Sequence, residues 1–269
     1  MNSPVECAIS HIWKSYSEPL SLTDIAKSAI LSRFHFSRIF REATGVSPCR
    51  FLSAVRIYEA KRMLASTSLS VTDISFAVGY NSLGSFTNRF TDSVGVSPSR
   101  FRRMWWGGMR EAPGPARGSS SPHGAVAGPV ELPGRYAAAR VYLGAFTTPI
   151  VQCRPSSCAI VEAGPGRAGC YRLTGVPPGE WFIRAVAVAD SADPEPWARR
   201  SVLVGGQGSV TVTAGAVSEA GIVLRPRCPT DLPILFAVPD LEPGAVAGAP
   251  GPGSAPGLAA AGRSSRGWS

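Results

Sequence analysis

Two hydrophobic periods divide this chain. Through about residue 106 apolar residues recur every three or four positions, the spacing of one helix face; from Ala138 onward they alternate with polar ones, the spacing of a strand. Val5, Ala8, Ile9, Ile12, Trp13 and Tyr16 predict an amphipathic helix over 4–16, with Pro4 at its start. Ser21 and Asp24 form a variant capping box that opens a short helix over 22–29. Ser32 caps a further helix over 33–44, whose inner stripe is Phe36, Phe40 and Ala43 with Ile39 on the flank, and Gly45 stops it. That stripe leaves Arg33, Phe34, Ser37, Arg38 and Arg41 on the outer face. Ser47-Pro48 then opens a helix over 48–65, roughly 27 Å long at 1.5 Å per residue.

The pattern then repeats. Ser70-Val-Thr-Asp73 echoes Ser21-Leu-Thr-Asp24 and predicts a helix over 71–78, followed by a turn at Gly79-Tyr80-Asn81. Ser82 caps a helix that runs to Val94 before Gly95. Ser97-Pro98 opens a last helix carrying Arg100, Arg102 and Arg103. Residues 36–51 and 86–101 share eight identities in sixteen pairs: Phe, Phe, Gly, Val, Ser, Pro, Arg and Phe. A short helix, a tight turn and a second helix with a basic, polar outer face describe a helix-turn-helix, and here there are two.

Charge adds a direction to this picture. Residues 1–110 hold fourteen Lys and Arg against seven Asp and Glu, whereas residues 111–269 hold thirteen against eleven. The basic excess therefore lies on the helical part and favours a polyanionic partner. No apolar run reaches the ~18 residues of a membrane span, and the N-terminus lacks the layout of a signal peptide. A cytoplasmic, nucleoid-associated protein with no membrane partner is expected. The six cysteines are irregularly spaced and are expected as reduced thiols.

The second helical unit resembles the signature of the AraC/XylS family of transcription regulators: Ile74, Ala77, Gly79-Tyr80, Phe86, Phe90, Gly95-Val96-Ser97-Pro98 and Phe101-Arg102. The connecting helix is similar to that family's in Arg56-Ile57-Tyr58-Glu59-Ala60, with Leu64 following. The resemblance covers about a hundred residues, and it implies an all-α domain over 1–107 in which two helix-turn-helix units are joined by a long helix. It also implies double-stranded DNA as partner, with RNA polymerase as a further one, and no cofactor.

By the same resemblance the base-reading positions fall on Phe34, Ser37 and Arg38 in the first unit and on Gly84, Thr87 and Asn88 in the second. A guanidinium at Arg38 suits guanine O6 and N7, and the Asn88 amide, where the family commonly has Arg, suits adenine. Phe34 either meets a thymine methyl or covers the connecting helix. Ser32, Arg33, Arg41, Ser82, Arg89, Arg102 and Arg103 are expected at the DNA backbone. Arg50, Arg56, Arg62 and Arg100 are expected as phosphate or surface charges. The connecting helix is shorter than the ~34 Å between successive major grooves, so either the reading helices are offset outward or the DNA bends.

The remainder reads as a different kind of domain. Residues 108–135 are rich in Gly and Pro and are expected as a flexible linker. Alternation in Val141 and Leu143, Tyr171 and Leu173, Trp181, Ile183, Ala185 and Ala187, Val202 and Val204, Val210 and Val212, and Ile222 and Leu224 predicts an all-β sandwich over 136–228. The run Tyr171-Arg-Leu173-Thr-Gly-Val-Pro-Pro-Gly179-Glu-Trp181 resembles the hairpin of carboxypeptidase-regulatory-like, transthyretin-like modules. Residues 229–269 are expected to be disordered. Gly164 to Gly169 fits G-x-G-x-x-G only formally, since it contains Pro165 and leads into a strand. Cys153, Cys158, Cys170 and Cys228 lack any C-x-x-C pair, so buried thiols are expected rather than a metal site. With only His11, His35 and His123 in the chain, no catalytic constellation is present and no enzyme is expected. Trp105-Trp106 is expected to close the last helix on the core. The fold class is thus multidomain, and the reading it supports is a sequence-specific regulator of transcription. The alternative is a partner- or glycan-binding sandwich with a nonspecific basic domain.

Overall fold

A computed structural model describes residues 3–106, 123–149, 151, 153–164, 166–190 and 200–235. The helical part comprises α1 (Pro4–Ser15), α2 (Leu22–Ser28), α3 (Arg33–Thr44), α4 (Pro48–Ser66), α5 (Val71–Ala77), α6 (Leu83–Val94) and α7 (Pro98–Trp106). Local chemistry sets these boundaries. Ser3, Ser21, Ser32, Ser47, Ser70 and Ser82 each accept a hydrogen bond from a backbone N–H three residues on, and α1, α2 and α5 complete the reciprocal capping box. Gly45 and Gly95 end α3 and α6 with φ of 77° and 89°, a left-handed conformation open to glycine.

The repeated phenylalanines build two similar cores. Phe36, Phe40 and Phe51 stack at centroid distances of 5.3 and 5.5 Å, and Phe86, Phe90 and Phe101 at 5.6 and 5.8 Å. Helix α4 serves both. Phe51, Leu52 and Val55 face the first core, while Ala54, Ile57, Ala60 and Leu64 face the second. A helix buried on two sides has no single apolar stripe. Arg56, expected as a phosphate or surface charge, instead bridges the units. Its Nε donates to Tyr16 O at 2.7 Å and its Nη2 to Glu18 O at 2.7 Å, and its guanidinium lies 6.0 Å from the Tyr80 ring. Two expectations fail here. Ala43 is exposed rather than part of the inner stripe, and Trp106 is exposed rather than closing α7 on the core, a place taken by Met104.

The second part holds β1 (Gly124–Glu131), β2 (Ala139–Phe146), β3 (Ser157–Ala163), β4 (Gly169–Val176), β5 (Gly179–Asp190), β6 (Arg200–Val212), β7 (Val217–Glu219), β8 (Ile222–Val223) and β9 (Arg225–Pro226). One sheet runs β4-β1-β7, with β8 also paired to β1; the other runs β3-β2-β5-β6-β9. Val126, Val130, Tyr171 and Leu173 of the first sheet share one core with Val141, Leu143, Trp181, Ile183 and Ala187 of the second. Residues 124–131, expected inside the linker, instead form the central strand of the first sheet. Their alternation, Val126, Gly128, Val130, Leu132, is masked by glycines that the packing requires: a Cβ at Gly128 would lie 2.2 Å from Ala220 O. The Pro-Pro-Gly hairpin turns at Gly179, with φ 138°, and the Trp181 indole donates to Pro177 O at 2.7 Å. The Tyr171 hydroxyl donates to Ala220 O at 2.7 Å, and burial pushes its pKa up to about 12.

The chain beyond β9 returns to the helices. Asp231 accepts from Arg225 Nη1 and Nη2 at 2.7 and 2.6 Å and from the Cys228 N–H at 2.6 Å, which aims the next residues inward. Leu232 packs against both helical cores, and Leu235 is buried in the second. Residues 229–235, expected as disordered tail, are therefore an ordered strap; 236–269 lie outside the described residues. The reason is apolar side chains meeting a seam that sequence periodicity cannot reveal. The six cysteines form no disulfide, and five are exposed, with Cys153 half-buried, so the expectation of buried thiols in the second domain does not hold. Among the described residues no group of His, Cys, Asp and Glu could hold a metal, and no helix is long and apolar enough to cross a membrane.

Candidate nucleic-acid interface

The outward faces of α3 and α6 have the same exposure pattern, residue for residue, from 33 to 40 and from 83 to 90. This follows from the shared Phe-x-x-x-Phe stripe, which turns the same positions to solvent on both helices. In α3, Phe34 is 76% exposed and the Arg33 guanidinium lies 4.8 Å from its ring. Phe34 is thus free of the connecting helix, which leaves it available for an external apolar contact. Arg38 reaches Glu42 at 3.8 Å, with the two side chains 68% and 64% exposed. An ion pair that open to water is worth well under ~1 kcal/mol, so it does not hold Arg38 back from another partner. The Ser37 hydroxyl donates to Arg33 O at 2.7 Å, which spends its proton and leaves its lone pairs to accept.

In α6, a Cβ at Gly84 would meet nothing within 4 Å, so the first turn is open to close approach. Thr87 is half-buried and Asn88 exposed on that face. Ser32 and Ser82 cap exposed helix starts; Ser82 also donates to the Ser85 hydroxyl at 2.9 Å. Free N–H groups and the positive end of the helix dipole make both starts favourable for phosphate.

The arginines divide by what they already hold. Arg33 and Arg41 are exposed on α3, and Arg103 is exposed on α7. Arg89 instead donates from Nε to Ser53 Oγ at 3.0 Å, and Ser53 lies 3.3 Å from the Tyr80 hydroxyl. Burial raises the Tyr80 pKa, against the lowering effect of Ser53, Arg89 and Arg56, so the phenol stays neutral. Arg102 donates from Nη2 to Leu69 O, and its Nε is buried with no partner among the described residues. Arg62 pairs with Glu59 at 2.7 Å. Arg56, Arg62, Arg89 and Arg102 thus brace the helices and the loops between them.

Sequence reasoning missed two features of the site. Ile30, in the turn before α3, has φ 57° and is 92% exposed, and its counterpart by the offset of the two capping boxes is Gly79, with φ 89°. Setting the repeats side by side would have shown an isoleucine where the turn wants glycine. The second domain meets the helices at the far end of this face. Arg154 Nε donates to the C-terminal cap carbonyl of α6, Gly95 O, at 2.7 Å, and Thr44 ends α3 beside Leu232 and Ile234 of the strap. Residues 33–35 and 38 of α3 and 83–85 and 88 of α6 remain exposed.

Residues 25–104 match the model of a helix-turn-helix domain. Over 102 residues the chain is 32% identical to the lactose operon transcription activator of Staphylococcus xylosus, covering 38% of this chain and 37% of that protein. Over 83 residues it is 37% identical to the HTH-type transcriptional activator AarP of Providencia stuartii, covering 31% of this chain and 62% of that protein. The chain therefore spans less than two thirds of either relative. Among solved structures, the DNA-binding domain of the global transcriptional factor AdpA, in complex with a target DNA, shares 25% identity and a TM-score of 0.38, over 39% of this chain and 96% of that one. The matched segment is a helix-turn-helix domain that runs from α2 to α7.

Proposed function

We propose that this chain is a transcription regulator that lays α3 and α6 in two successive major grooves of double-stranded DNA. The observation that carries the reading is the duplicated outward face, 34, 37 and 38 on one helix and 84, 87 and 88 on the other, each helix starting at an exposed serine cap. In this reading Arg38 makes a bidentate contact to guanine and Asn88 to adenine, Phe34 meets a thymine methyl, Ser37 and Thr87 add hydroxyl contacts, and Gly84 lets the backbone approach the base edges. Arg33, Arg41 and Arg103 sit on phosphates with the N-termini at Ser32 and Ser82, while Arg89 and Arg102 act through the elements they hold in place. Helix α4 sets the distance between the readers. The second domain is a β-sandwich of transthyretin-like type with a regulatory or interaction role, RNA polymerase is a further partner, and the protein works in the cytoplasm at the nucleoid without catalysis of its own.

Selection from random duplexes followed by mobility-shift titration tests this. An enriched site with two half-sites about one turn, ~34 Å, apart supports it. Uniform binding that only falls with salt, with no enriched motif, would reduce the helical domain to a nonspecific polycation binder.

A further inference from the structure

A cleft of about 570 Å³ opens between the outer face of the larger sheet, the strap and the C-terminal end of α3. Its apolar walls are Val151, Val186, Val204 and Ile234, part of a small cluster separate from the main core of the second domain. Two arginines line it, in different electrostatic states. Arg225 is neutralised by its two-point pair with Asp231. Arg184 has no carboxylate partner among the described residues. Its Nε donates to Pro149 O at 2.8 Å, and its Nη1 donates to Gln207 O at 2.8 Å and Ile183 O at 3.2 Å.

The seat for this guanidinium is built into the sheet. Arg184 lies across its register partner Gly206, where a Cβ would come within 2.5 Å of Arg184 Nη1 and of Ile183 O. Three carbonyls fix three of its five N–H groups, and the two on Nη2 have no acceptor among the described residues. Arg184 is one of the residues that line the cleft. Carbonyl dipoles orient the charge without cancelling it, and its removal from water is a cost that an arriving anion would offset. The two N–H groups left on one terminal nitrogen suit a single carboxylate. The valine and isoleucine walls suit an aliphatic body.

We propose that this cleft is a binding site for a small aliphatic monocarboxylate, its carboxylate on Arg184 Nη2 and its chain against Val151, Val186, Val204 and Ile234. An occupant would touch Thr44 at the end of α3 and Leu232, the residue that packs on both helical cores, so the site joins the second domain to the helices. The ligand reading does not depend on DNA recognition. Octanoate is the probe, with octanol as the uncharged analogue, titrated calorimetrically into the full chain without DNA. Octanoate is expected to bind with a Kd of about 1 mM or tighter, octanol and Arg184→Gln each about tenfold weaker or more, and Val204→Trp to block the cleft while circular dichroism stays that of the parent. No octanoate binding at that concentration, or equal binding by octanol or by a folded Arg184→Gln chain, overturns the proposal.

Discussion

Ile30 and Gly79 occupy the same place in two copies of one turn, and substitutions there should change stability in opposite directions. The turns are built alike. Ile30 N and Leu31 N bond to Lys27 O and Ala26 O at 3.0 and 3.2 Å, and Gly79 N and Tyr80 N bond to Phe76 O and Ser75 O at 2.9 and 3.0 Å. Both require a left-handed residue, with φ of 57° and 89°. A Cβ in that region costs roughly 1–2 kcal/mol, and Ile30, 92% exposed, recovers almost nothing by burial. Ile30→Gly removes that strain but gives up about 0.5–1 kcal/mol through the more flexible unfolded chain, for a net gain of about 0.5–1 kcal/mol.

Gly79→Ala adds the same strain and a collision. Its Cβ would stand 2.8 Å from Ser17 O and 3.0 Å from Tyr16 O and Arg56 Nη2. The first two are backbone atoms and the third is tied to Tyr16 and Glu18, so something must shift, at about 1–3 kcal/mol. After an unfolded-state gain of about 0.4–1 kcal/mol, the net loss is about 2–4 kcal/mol. Urea unfolding of the full chain, followed by the helical circular dichroism band, measures both. Destabilisation by Ile30→Gly would refute the strain argument, and a Gly79→Ala change within about 0.5 kcal/mol would refute the close approach.

Arg38→Ala should relax base preference in one half-site only, at about 1–3 kcal/mol by mobility shift; equal weakening on every sequence would make Arg38 a phosphate contact. Leu235→Ala should cost about 2–4 kcal/mol in urea unfolding, as for other buried leucines, and a loss under ~0.5 kcal/mol would mean that the strap is not part of the fold. At Asp231, burial acts to raise the carboxyl pKa but is outweighed by the bonds from Arg225 and the Cys228 N–H, so the net shift is downward. A depressed folded pKa means that the contribution is present above the unfolded value of ~3.9 and is lost as pH falls through the folded one. The stability excess of wild type over Asp231→Asn should therefore hold at neutral pH and shrink in acid below about pH 4; an excess unchanged at pH 2 would contradict the pairing.

The helical half of the fold was legible because its signals are local. A serine oxygen caps a backbone N–H three residues away, and a glycine ends a helix by its own φ, so the bounds of α3 and the start of α6 follow from short windows. The outer faces of α3 and α6 followed as well, since the Phe-x-x-x-Phe spacing leaves no choice of which side is buried. The central strand β1 was not legible, because Gly128 carries no side chain to mark its alternation and its need for glycine comes from Ala220, ninety-two residues on.

The chain by itself determined a duplicated helix-turn-helix, its caps, its two phenylalanine cores and an excess of basic over acidic residues on the helical side. Tertiary structure alone decided what each arginine does. Arg33, Arg38 and Arg41 face water, while Arg56 reaches carbonyls 40 and 38 residues away, Arg89 a serine 36 away, Arg102 a carbonyl 33 away and Arg154 a helix cap 59 away. The strap was decided in the same way, Leu232 lying on two cores built by residues before 107. A guanidinium has the same donors wherever it stands; whether they meet a carbonyl or solvent depends on which distant segment the folded core brings within about 3 Å.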